Sequence, residues 1–104
     1  MPKWTHDMMI TMIDMYQENL PKIENQELRM KHLYRKMTQE LVKKKYKVSK
    51  VAVEKKWVNM MHTYKRIKNR AKGGKTAKTT WEYYQVILNL LLDYEFRLVS
   101  LISI

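Results

Sequence analysis

Apolar residues along the chain recur at steps of three and four rather than two, which predicts helices throughout and no strands. Met9, Ile10, Ile13, Tyr16 and Leu20 make the first such face, and Thr5 just ahead of it suits an N-cap. The first helix is therefore expected to run to about Asn19, with Pro21 stopping it. Met8, Met12 and Met15 fall off the main face and read as spare apolar surface. Residues 21–25 make a short polar connector. A second helix is expected from about Gln26 to Lys45, with Leu33, Tyr34, Met37 and Leu41 inward and Arg29, Lys36 and Glu40 outward. The run Lys43-Lys44-Lys45-Tyr46-Lys47 ends it, placing cations at the negative end of the helix dipole. Val48 is expected to bury in the turn, and Ser49 to cap the next helix.

The third helix, from about Lys50 to Ala71, carries the clearest division of faces. Val53, Trp57, Met60, Met61, Tyr64 and Ile67 fall in a narrow arc, and Lys55, Asn59, His62 and Arg66 lie opposite, at steps of four, three and four. A solvated charged face is what most amphipathic helices have. Here the flanking cations turn the reading toward an anionic partner. Lys72 to Lys78 is a basic loop around Gly73 and Gly74. Its Gly-Gly-Lys-Thr lacks the upstream glycine and the preceding strand of a phosphate-binding loop. A fourth helix is expected from Thr79 or Thr80, with Trp81, Tyr84, Leu88 and Leu91 on one side. Beyond it, Tyr94, Phe96, Leu98, Val99, Leu101 and Ile102 are apolar nearly all round. That tail either folds back over the core or pairs with a second chain. Trp4, Trp57 and Trp81, one per helix, are expected to meet in one core together with Tyr64.

Charge sharpens this outline. The chain of 104 residues has a net charge of +11, and between Lys43 and Lys78 fourteen Lys or Arg face a single acid, Glu54. That imbalance favours a polyanion, nucleic acid ahead of an acidic membrane or protein. Lys43, Lys44, Lys47, Lys50, Lys68, Arg70, Lys72, Lys75 and Lys78 are the candidates for phosphate contact. With no Cys, and with His6, His32 and His62 showing no ligand spacing, neither a metal nor another cofactor is expected. No carboxylate pair stands in apolar surroundings and His62 has no nucleophile beside it, so no catalytic residue and no small-molecule substrate are expected. No secretory signal is visible, and the apolar stretch from Val86 to Ile104 is broken by Asp93, Glu95 and Arg97. A soluble intracellular protein without membrane attachment is the expectation.

Trp4-Thr5, Ile10, Ile13 and Tyr16, Leu33-Tyr34, Tyr46-x-Val48-Ser49, Glu54-Lys55-Lys56-Trp57-x-Asn59-Met60, Thr63-Tyr64-Lys65 and Trp81-x-Tyr83-Tyr84 together resemble the Myb/SANT-like DNA-binding domain of the trihelix type. MADF domains are the nearest confusable relatives. The resemblance covers residues 4–91 and leaves 92–104 as an apolar helical extension for a homodimer or a partner protein. It implies an all-α, three-helix helix-turn-helix bundle with an additional C-terminal fourth helix. The helix after the Val48-Ser49 turn would enter the major groove of double-stranded DNA, with Lys55, Asn59, His62 and Arg66 at the bases. It further implies a nuclear transcription regulator or a transposon-derived accessory protein. SANT-type relatives that bind proteins in chromatin are the alternative. Members of the family often carry Trp where Tyr34 stands, Gly where Lys45 stands, and an acid early in the first helix, where this chain offers Asp7.

Overall fold

The computed structural model describes residues 3–71 and 81–91. Within them lie α1 (His6–Glu24), α2 (Met30–Lys43), α3 (Lys50–Ala71) and a further helical segment, α4 (83–91), and no strand. The fold is all-α. The chain divides into two compact units, Met1–Asn59 and Met60–Ile104, and α3 runs through both.

In the first unit α1 packs against α2. Thr5 caps α1, its hydroxyl accepting from the Met8 backbone N–H at 3.2 Å. That bond satisfies one of the orphan donors of the first turn. The buried face of α1 differs from the one periodicity predicts. Met8 and Met12 are fully enclosed, beside Met9, Ile13 and Leu20, whereas Ile10 and Tyr16 are half-buried. Met8 and Met12 are thus core, not spare surface. Unbranched, flexible thioethers adapt readily to irregular space in a core.

Pro21 does not stop α1; it lies inside the helix. It forfeits one backbone bond, and the helix continues one more turn because its end is closed elsewhere. Gln26 adopts φ 61°, Gln26 N–H donates to the Ile23 carbonyl at 3.1 Å, and Glu27 N–H donates to the Lys22 carbonyl at 2.8 Å. This pair of bonds around one left-handed residue is the Schellman closure. It consumes residues expected to start α2, which begins at Met30 instead of Gln26.

Leu33, Tyr34, Met37 and Leu41 form the buried side of α2, as their spacing predicts. The same closure recurs at its end. Lys45 takes φ 76°, its N–H donates to the Val42 carbonyl at 2.9 Å, and Tyr46 N–H donates to the Leu41 carbonyl at 3.0 Å. A residue with a β-carbon is strained in this region, which is why glycine suits the position. Val48 is half-buried in the turn rather than enclosed. Ser49 then caps α3, its hydroxyl accepting from the Ala52 N–H at 3.1 Å. From α3 this unit buries Val53 and Trp57, and the Trp57 ring meets that of Tyr16 with centroids 4.9 Å apart.

In the second unit α3 supplies Met60 and Tyr64, and α4 supplies Tyr83, Tyr84, Ile87 and Leu90. The rings of Tyr64 and Tyr84 lie 5.4 Å apart. The buried face of α4 is turned from the predicted one: Trp81, Leu88 and Leu91 are half-buried, while Tyr84 is enclosed as expected. Trp81 stacks edge-on against Tyr83 at 5.9 Å. It sits just before the helix, so it covers the core without entering it. Gly73, Gly74, Thr79, Thr80 and the tail 92–104 lie outside the described residues.

Candidate nucleic-acid interface

The 22 residues of α3 hold both its core and its outward face. At 100° per residue Val53, Trp57, Met60 and Tyr64 span about 60° of the helix, and Lys55, Asn59, His62 and Arg66 span about 60° on the opposite side. The structure agrees with that projection. The first four are buried, and the second four are exposed. Asn59 and His62, whose burial would have removed the candidate surface, both face outward.

In the first unit Lys55 and Asn59 line a surface depression with Trp4, Ser49, Val51, Ala52 and Lys56. Trp4 is half-buried at this point, so it flanks the first turns of α3 instead of joining Trp57 inside. In the second unit His62 and Arg66 line an open depression with Lys65, Asn69 and Arg70. The Arg66 guanidinium also reaches the Thr63 hydroxyl at 3.5 Å, which steadies its stem and leaves its plane at the surface. Lys56, Lys65 and Asn69 are therefore neighbours of the candidate base-contacting residues, although helical spacing alone does not single them out. They stand one turn or less from Lys55, Asn59, His62 or Arg66.

The candidate phosphate contacts differ among themselves. Lys43, Lys47 and Arg70 are exposed, and Lys50 is half-buried. Lys68 is half-buried with its ammonium 5.8 Å from the centre of the Tyr64 ring, a cation–π placement on the flank nearer the core. Lys44 is already engaged: its ammonium donates to the Thr11 hydroxyl at 2.8 Å and pairs with Asp7 at 3.5 Å. Tyr46 donates its hydroxyl to the other Asp7 oxygen at 2.8 Å. The Tyr46 hydrogen bond, ahead of the charge of Lys44, holds the Asp7 carboxyl below the usual carboxylate range. This cluster ties the turn before α3 to the first turns of α1. Lys72, Lys75 and Lys78 lie outside the described residues.

Burial, first, and the charge of Glu54, second, push the Tyr34 phenol above its ordinary value. Tyr83 is likewise raised, by burial before its contacts with Glu82. Both phenols stay neutral at physiological pH. Among the described residues no His, Asp and Glu are grouped to hold a metal ion, and no helix is long and apolar enough to cross a membrane.

The model of the Myb/SANT-like DNA-binding domain matches residues 1–90, nearly the whole chain. The chain belongs to that family. Neither a curated protein nor a solved structure matches it. Family membership makes DNA the partner class, and the outward face of α3 supplies cations and an amide of the kind that contact requires.

Proposed function

We propose that this Myb/SANT-like domain binds double-stranded DNA sequence-specifically, with α3 in the major groove. The observation that carries the reading is the exposed Lys55, Asn59, His62 and Arg66 stripe on the side of α3 away from Trp57 and Tyr64. Each residue type has an edge to read. Lys55 and Arg66 suit the O6 and N7 acceptors of guanine, and Asn59 suits the N6 and N7 pair of adenine. His62 serves a base or a phosphate. Lys43, Lys47, Lys50 and Arg70 supply the sequence-independent attraction, with Lys72, Lys75 and Lys78 assigned the same part from charge alone. The Asp7 pairing of Lys44 makes that lysine a lesser phosphate contact than its neighbours.

The biological reading is a nuclear regulator of transcription or a DNA-binding accessory protein derived from a transposon. Residues 4–91 form its DNA-binding part. Single half-sites are bound weakly by domains of this size, so 92–104 is assigned to self-association or to a partner protein. Sedimentation as a strict monomer with and without DNA would remove that last assignment. Charge weighs against a module for basic protein tails, since α3 carries Lys50, Lys55, Lys56, Lys65, Arg66, Lys68 and Arg70 against Glu54 alone.

The test is a titration of fluorescent mixed-sequence duplex against salt. Neutralising about five phosphates gives a slope of log K against log salt of roughly −4 to −5. Arg66→Glu abolishes binding at about 0.1 M salt, where the Debye length is about 10 Å and charges on one helix face still feel each other. A slope near zero would end the reading.

A further inference from the structure

Val51 and Val58 are large apolar side chains left in solvent on α3, 60% and 38% exposed. At 100° per residue they project about 40° and 60° from Lys55, on the same side, so both border the Lys55 and Asn59 stripe and neither faces the core. With Glu54, Lys55 and Asn59 they line a single shallow depression within the first unit. We propose that Val51 and Val58 recognise the C5-methyl group of pyrimidines in the major groove, and so determine specificity beside the polar contacts. The inference rests on the placement of α3 proposed above.

Three features point to this occupant. The C5-methyl is the apolar group that a base pair presents in the major groove, and apolar side chains are its ordinary partners. Lys55 and a net charge of +11 draw a polyanion to this face. Glu54, the one acid between Lys43 and Lys78, is exposed in the same depression. A carboxylate repels phosphate but accepts from the amino group of cytosine, so the depression is suited to base edges and not to the backbone. Seven residues of helix rise about 10 Å, so the two valines reach methyl groups no more than about three base-pair steps apart. Thymine and 5-methylcytosine place that methyl alike.

The experiment starts from duplexes selected by the intact chain from a random pool. These are remade with uracil for thymine, and separately with 5-methylcytosine for cytosine. Affinities are measured by anisotropy for the wild type, Val51→Ala and Val58→Ala, with circular dichroism melts confirming that these exposed substitutions leave the fold intact. Each contacted thymine methyl is worth about fourfold in affinity, the burial of one methyl-sized group. Loss of that factor on uracil replacement, together with its disappearance in the valine variants, supports thymine as the source. A gain of similar size on cytosine methylation, again removed by the variants, supports 5-methylcytosine. Equal affinity of the wild type for all three duplex chemistries overturns the inference while leaving DNA binding intact. Absence of binding to any duplex at low salt overturns the placement of α3 itself, and the two failures are thereby distinct.

Discussion

Lys45 offers the sharpest check on how the turn before α3 is built. It holds φ 76° at the closure of α2, with its own N–H bonded to Val42 at 2.9 Å and the next bonded to Leu41 at 3.0 Å. Its side chain is exposed, so replacing it removes no core packing. A β-carbon in the left-handed region costs about 1–2 kcal/mol. Glycine removes that cost, but it also gives the unfolded chain more freedom, which returns about 0.5–1 kcal/mol. Lys45→Gly should therefore stabilise the protein by about 0.5–1 kcal/mol, a rise of roughly 2–8 °C in Tm for a domain of this size. Lys45→Ala keeps the β-carbon and serves as the control, with little or no gain. The measurement is thermal unfolding followed by circular dichroism, with the wild type and both variants side by side. Gly and Ala variants of equal Tm would refute the strain argument, and a less stable Gly variant would show that the closure depends on the lysine side chain.

Trp57→Ala should cost about 3–5 kcal/mol in urea unfolding, because a ring only 4% exposed and stacked on Tyr16 leaves a cavity behind. Asp7→Asn should flatten the acid limb of stability. A carboxyl depressed in the folded state contributes stability above the unfolded value near 3.9 and loses it as pH falls through the folded value, so the wild type should lose ground to the variant below about pH 4. In a spectrophotometric titration Tyr34 and Tyr83 should ionise above the usual phenol value near 10. Their raised values stabilise the fold fully below about pH 10, and that contribution disappears as pH climbs through the folded values. Removal of the phenol by Tyr34→Phe should leave one fewer late-titrating group.

The elements that periodicity and a cap both mark were legible in the sequence. The bounds of α3, Lys50 to Ala71, follow from Ser49 and a long two-faced pattern, and so do the exposed positions of Lys55, Asn59, His62 and Arg66. Helix ends closed by non-glycine left-handed residues were not legible. Gln26 and Lys45 carry no residue-type signal for positive φ, so α1 overran Pro21 and α2 began late. Trp4 and Trp81, expected in the interior, are half-buried instead, and within the first unit Met8 and Met12 are among the fully enclosed side chains. Bulk alone ranks an indole above a thioether, but a flexible thioether adapts to irregular interior space more readily than a rigid ring. The Asp7, Lys44 and Tyr46 cluster joins residues 37 and 39 positions apart, a distance over which local patterns say nothing.

Five of the enclosed side chains, Met8, Met9, Met12, Met37 and Met60, are methionines. Their extra torsions let neighbours change size with little backbone movement, so the interior should accept leucine exchanges at less than about 1.5 kcal/mol apiece. The same sulfur atoms are a chemical weakness. Each time the molecule opens to an oxidant, conversion to sulfoxide inserts a polar group that the interior has no partner for, and refolding is penalised. Loss of the folded protein under peroxide should therefore follow how often these side chains are laid open, and a bound ligand that favours the closed state should slow it.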